Sequence, residues 1–198
     1  MQDARLTPSL RKKLWGAGEL GYDDMDPEMR SFKSSPLRNA GLRIVKSNGM
    51  PTESVELERP LARLERAHLY ADSRETYLVT ADYSAGFGSY SGPATSLLEV
   101  GEGRMKWLNA TDSVTGKSER LTLAQTLKSV WKIVAMPGGE GSDILQALCR
   151  PAFQPGDDEF KLIYIRYHFD GKRWVQLVRE RKGYSDFEAG FPSRSLFP

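Results

Sequence analysis

Residues 161–183, KLIYIRYHFDGKRWVQLVRERKG, constrain the fold more than any other stretch of the chain. Ile163, Ile165 and Tyr167 share one parity, Asp170-Gly171 is a turn dipeptide, and Trp174, Gln176 and Val178 return with the same alternation. Period two on both sides of Asp-Gly specifies an antiparallel hairpin with one face inward. A sheet built on that hairpin needs further strands, and the sequence offers them.

From residue 41 onward alternation dominates. GLRIVKSNGM ends on the turn dipeptide Asn48-Gly49, and ETYLVTADYSAG is rich in the Tyr, Val and Thr that favour strands. ATSLLEVGEGRMKWLN reads as strand, tight turn around Gly101 to Gly103, strand. DILQALCRPAF reads as a strand ended by Pro151. Arg63 to Tyr70 fits both a strand and a helical stripe. In SERLTLAQTLKSVWKIV, Leu123, Leu127, Val130, Trp131 and Val134 recur at three and four, predicting an amphipathic helix over about 118–134 behind a Ser118 cap. A strand over its last part, WKIVAM, is the competing reading. The tail YSDFEAGFPSRSLFP, with its phenylalanines and prolines, is expected to lie extended across the body.

The expected fold is therefore mainly β or α+β: an antiparallel meander or sandwich with one helix. Residues 1–40, broken by Gly16, Gly18 and Gly21, read as a loosely structured N-terminal arm on a single β-rich domain of residues 41–198. A chain of 198 residues suffices for one sizeable core.

Charge and cysteine content narrow the function classes. Lys and Arg number 28 against 26 Asp and Glu, a formal charge of +2 with both signs interspersed. Such a balance provides no long-range field for nucleic acid. No apolar run approaches the roughly 18 residues of a membrane-spanning helix. Cys149 is the sole cysteine, so neither an intrachain disulfide nor a thiolate metal cluster can form. The polar start MQDARLTPSLRKK has no apolar segment of its own, and fits an initiator Met ahead of residues that follow a removed signal peptide.

Catalytic signatures are few. His68 and His168 stand one hundred residues apart in AHLY and RYHFD, settings that suit packing more than metal or base chemistry. Gly88-Ser89-Tyr90-Ser91-Gly92 puts Tyr90 where a serine elbow needs its nucleophile. A calcium loop opening on Asp82 fails at Phe87 and Pro93, and Gly86-x-Gly88 leads into no helix. No cofactor or metal is implied, and no catalytic residue is assigned.

What remains is DYSAGFGSYSGP, residues 82–93, a loop far richer in glycine, serine and aromatics than a plain connector requires. Its glycines allow bulges and reversals, and Tyr83, Phe87 and Tyr90 supply rigid amphipathic surface at low entropy cost. Two readings stay open: the rings plug the end of the sheet, or they anchor a protein partner, with Asp82 and Arg104 at the rim.

YLVTADYSAGFGSYSGP, DILQALCRP, YIRYHFDGKRW and FPSRSLFP together resemble small β-rich bacterial proteins exported to the cell envelope. The likeness covers about residues 70–198 and carries over no residue roles. Such proteins often lack catalytic motifs, and some are inhibitors or immunity proteins against secreted toxins. The resemblance implies a periplasmic or secreted setting and a protein-binding role, neutralising an effector enzyme by covering its active site. The alternatives are an envelope carbohydrate- or lipid-acting hydrolase using a histidine with a loop carboxylate, or a sugar- or lipid-binding module with Trp107 and Trp174 along a groove.

Overall fold

A computed structural model describes residues 41–57, 62–81, 90, 92–139, 141–152 and 160–198. Among them are thirteen strands: β1 (Gly41–Val45), β2 (Pro51–Glu56), β3 (Ala62–Ala67), β4 (Glu75–Ala81), β5 (Ala94–Gly101), β6 (Arg104–Trp107), β7 (Asn109–Asp112), β8 (Ser118–Arg120), β9 (Thr122–Ala124), β10 (Ser129–Ala135), β11 (Ser142–Pro151), β12 (Phe160–Phe169) and β13 (Trp174–Lys182). The expected N-terminal arm, 1–40, lies outside the described residues.

The strands form a small sheet, a larger one and a separate hairpin. The smaller sheet runs β3-β4-β5-β6, with β9 pairing β5 beside β6; the larger runs β10-β11-β12-β13-β7-β8. Pairing is antiparallel except for β13 and β7, which run parallel from Trp174↔Ala110 to Gln176↔Asp112. The predicted hairpin around Asp170-Gly171 forms with Phe169↔Trp174 as its last pair, Asp170 Oδ1 accepting the amides of Lys172 and Arg173. At the β5–β6 turn Glu102 and Gly103 both adopt positive φ (52° and 74°), the pair of conformations a tight right-twisted hairpin demands.

Two leucines carry the chain between sheets. Leu108 leads from β6 into β7 and Leu121 from β8 back into β9, and both are buried. Leu108 N donates to Leu97 O and Leu121 N to Leu108 O, each at 2.9 Å, so the crossings stay paired where the strands change partner. The faces enclose one core: Leu78, Leu97 and Leu123 from the smaller sheet meet Ile144, Ile165 and Trp174 from the larger. Burying each such side chain is worth about 1.5–3 kcal/mol.

Both outer faces are also covered. Leu42 of the β1–β2 hairpin packs with Leu57 against Val79, Leu98 and Trp107. The tail, extended as expected and ending in a 3-10 turn at Arg194–Leu196, lays Phe187 and Phe197 on Leu145, Cys149 and Tyr164 of the larger sheet. Tyr164 meets Phe197 edge-on at 5.4 Å.

The predicted helix over about 118–134 does not form; β8, β9 and β10 occupy its place. Strand β10 packs on both faces, with Trp131 and Ile133 against the central core and Val130 and Val134 beneath the tail. Two-sided burial makes both parities apolar, and a run of that kind cannot be told from a helix by periodicity. Among the described residues, no helix is long and apolar enough to cross a membrane.

Candidate recognition surface

Segment 82–93 joins β4 to β5, whose pairing closes at Ala81↔Ala94. Asp82, Tyr83 and Phe87 lie outside the described residues; Tyr90 is described and is half exposed. The C-terminal root of the segment is clamped. A Cβ on Gly92 would meet Gln125 O at 2.2 Å, and Gln125 N donates to Pro93 O at 2.9 Å. Gly92 is there because two backbones touch.

That clamp sets Tyr90 beside the turn between β9 and β10. Thr126 and Ser129 pair across it, and Lys128 N donates to Thr126 Oγ1 at 3.0 Å, leaving Leu127 exposed at the tip. Lys128 itself is buried along its stem. Its carbonyl accepts from Cys149 N at 2.8 Å, and its ammonium sits 3.6 Å from the centroid of the Tyr184 ring. Tyr184, 59 % exposed, leans edge-on against Phe160 at 4.9 Å. The Tyr90 hydroxyl titrates above its ordinary value, first through desolvation and then through Cys149, with Lys128, Tyr184 and Arg150 also acting on it. Its hydroxyl therefore lies within electrostatic reach of this cluster while half its surface faces solvent.

Tyr90, Leu127, Lys128 and Tyr184 thus converge from three separate stretches of chain. Arg104 does not join them. It starts β6, opposite Gly101, and the eight residues of β5 from Ala94 to Gly101 span about 23 Å. Leu127 and Tyr184 were missed in the sequence because one read as a helix-face residue and the other as the start of the extended tail. Only the isolated Leu in TLKS, flanked by turn-forming Thr and Ser, signalled an exposed tip.

The two histidines separate. His68 is exposed, and its carbonyl accepts from Ser142 Oγ at 3.1 Å. His168 Nδ1 lies 2.9 Å from Asp143 Oδ1, and Arg166 Nε donates to Asp143 Oδ2 at 2.7 Å. Register explains the meeting: Ile144 pairs with Tyr167, so Asp143 stands across from His168 with Arg166 on its diagonal. Asp143 is fully buried, and the two cationic-type partners compensate it. No hydroxyl or thiol hydrogen-bonds the His168 ring among the described residues, and none of their His, Cys, Asp and Glu groups forms a metal-binding set. The two tryptophans of the alternative binding-groove reading do not share a groove among the described residues: Trp174 is buried in the central core, and Trp107 packs on the smaller sheet under Arg120, 3.5 Å above its ring.

These features define a class, a mainly β sandwich displaying an aromatic surface at one end. Comparisons with protein-family models, with curated proteins and with solved structures find no match.

Proposed function

We propose that the protein is a non-enzymatic binding module that recognises another protein through the Tyr90 end of the sandwich. The observation that carries this reading is the exposed set Tyr90, Leu127 and Tyr184 around the buried stem of Lys128. Tyrosines held by a rigid frame lose little entropy on binding and act as anchors, and nearby charges tune the association rate. The resemblance to exported β-rich proteins supports a periplasmic or secreted inhibitor or immunity protein, with an effector enzyme as the partner and its active site as the covered surface.

The test compares wild type with a folded Tyr90→Ala/Leu127→Ala/Tyr184→Ala variant as baits for the native organism's lysate and medium. The expected result is a stoichiometric partner held by wild type alone, whose enzymatic activity falls when wild type, but not the variant, is added. Loss of the anchors should weaken binding by at least about 2 kcal/mol. Equal capture by both baits would remove this surface from the interface.

A second reading has one observation behind it. The carboxylate of Asp143 orients His168 as a general base requires, which favours a hydrolase. A turnover assay on envelope glycans and lipids that responds to His168→Gln would select it.

A further inference from the structure

The inner face of the larger sheet is only partly covered by the smaller one. Its register sets cross-strand rows: Ile144–Tyr167–Gln176, then Gln146–Ile165–Val178, then Leu148–Ile163–Glu180, with Arg150 opposite Lys161 at the end. Beyond Trp174 and Tyr70, which meet in the central core, these rows floor a cavity of about 610 Å³ roofed by the 120–124 crossing. Val178, an inward-facing aliphatic side chain in the middle of a strand, is 39 % exposed there. A strand position of this kind is normally buried.

The lining divides by chemistry. Leu148, Ile163, Ile165 and Val178 form an aliphatic floor. At one end Tyr167 donates to Gln146 Oε1 at 3.3 Å, and Gln146 Nε2 reaches Ser129 Oγ at 3.4 Å. Charges lie at both ends. Asp112, beside Gln176 in the Tyr167 row, accepts the amides of Val114 and Thr115, and Glu119, one row further toward Trp174, pairs with Lys117 at 2.5 Å. At the far end Glu180 pairs with Lys161 at 3.2 Å. Arg150 differs. Its side chain makes no hydrogen bond or ion pair with the described residues, while its positive charge acts on the Tyr167 hydroxyl. From Ile163 to Tyr167 the floor of the slot runs about 13 Å along β12.

We propose that this slot binds a linear acyl carboxylate, its chain on the aliphatic floor and its carboxylate on the Arg150 guanidinium. An aliphatic floor gives apolar contact without the ring faces that sugars and bases stack on. The Arg150 guanidinium, without a hydrogen-bond or ion-pair partner among the described residues, matches one carboxylate in the fork geometry that makes this pair strong. The volume is ordinary for a small-molecule site. Neither Tyr90 nor Tyr184 lines the slot, although Arg150 at its end also acts on the Tyr90 hydroxyl.

Calorimetric titration of the full chain with octanoate, octan-1-ol and butanoate tests this. Octanoate should bind about tenfold or more tightly than octan-1-ol, which has the chain without the charge, and than butanoate, which has the charge without the chain. Arg150→Gln should bring octanoate down to the level of octan-1-ol and leave octan-1-ol unchanged. Val178→Glu, with an unaltered melting curve, should weaken both. Equal affinity for octanoate and octan-1-ol, or an Arg150→Gln variant that binds octanoate like wild type, overturns the proposal. So does binding to phosphatidylglycerol vesicles without octanoate binding, which would assign the cation to a lipid surface.

Discussion

The indole N–H of Trp174 donates to the hydroxyl of Tyr70 at 2.9 Å, joining residues 104 apart in sequence. Phe169 lies edge-on to the Tyr70 ring at 4.8 Å, and the Arg74 guanidinium covers it at 3.5 Å. The contact fixes the segment after β3 to the start of β13. Trp131 is the contrast: its indole nitrogen is buried without a hydrogen-bond partner among the described residues. Removing one member of a satisfied buried pair costs stability, whereas removing an orphaned donor does not. Trp174→Phe should therefore lower the unfolding free energy by about 1–3 kcal/mol, and Trp131→Phe should be neutral or slightly stabilising. Urea denaturation of the two variants checks the difference in sign.

Alkaline pH should unfold the protein through two buried phenols. Tyr70 and Tyr167 are both pushed up to about 12, burial being the first cause in each; Trp174 opposes it at Tyr70 and Arg150 at Tyr167. In the unfolded chain both titrate near 10.0, so between pH 10 and 12 the unfolded state binds fewer protons than the folded one. Stability from these groups is intact below pH 10 and is lost as pH rises towards 12. Tyr167 alone accounts for about 2–3 kcal/mol of that loss. Denaturation midpoints across this range should fall steeply in wild type and less steeply in Tyr167→Phe.

Gly92→Ala should be far more damaging than an exposed loop substitution. The added methyl would run into Gln125 O at 2.2 Å, and backbone cannot yield as a flexible side chain would. Relief requires breaking the Gln125-to-Pro93 hydrogen bond, which holds β9 to the root of the Tyr90 segment. A cost of about 1–3 kcal/mol is expected. Thermal melting measures it, and Gly103→Ala provides the comparison: it carries strain from its positive φ of 74° but meets no atom within 4 Å.

Much of the sheet was legible because its signals are local. Asn48-Gly49, Gly101 to Gly103 and Asp170-Gly171 each mark a turn between alternating runs, and a hairpin forms at each. The strand at DILQALCRP ends at Pro151 as expected. What could not be read were features set by distant residues. Apolar parity in β10 depends on distant tail residues, Phe187 to Phe197, and the parallel β13–β7 pair has no turn to announce it. Of the proposed recognition surface, composition singled out Tyr90, whereas Leu127 and Tyr184 come near it only through sheet switching and tail packing. Asp143 and His168 meet through register, which neither DILQ nor RYHFD reveals alone.

That meeting yields the sharpest structural test. Asp143 is fully buried, and Arg166 and His168 are its only hydrogen-bonding side chains among the described residues. Their side chains remain 28 % and 32 % exposed, so water can take over part of what the carboxylate supplies. Asp143→Ala should then cost about 2–4 kcal/mol, towards the lower end for breaking a buried ion pair. Asp143→Asn, which keeps one acceptor and the volume, should cost less. The site lies six residues along β11 from Cys149, about 20 Å from the Tyr90 end. Folded Asp143→Asn should accordingly retain partner binding at the wild-type level. An equilibrium unfolding curve and a binding titration on one sample of this variant separate a structural tie from a catalytic carboxylate: the tie moves the first and spares the second, whereas a hydrolase would lose turnover with its fold intact.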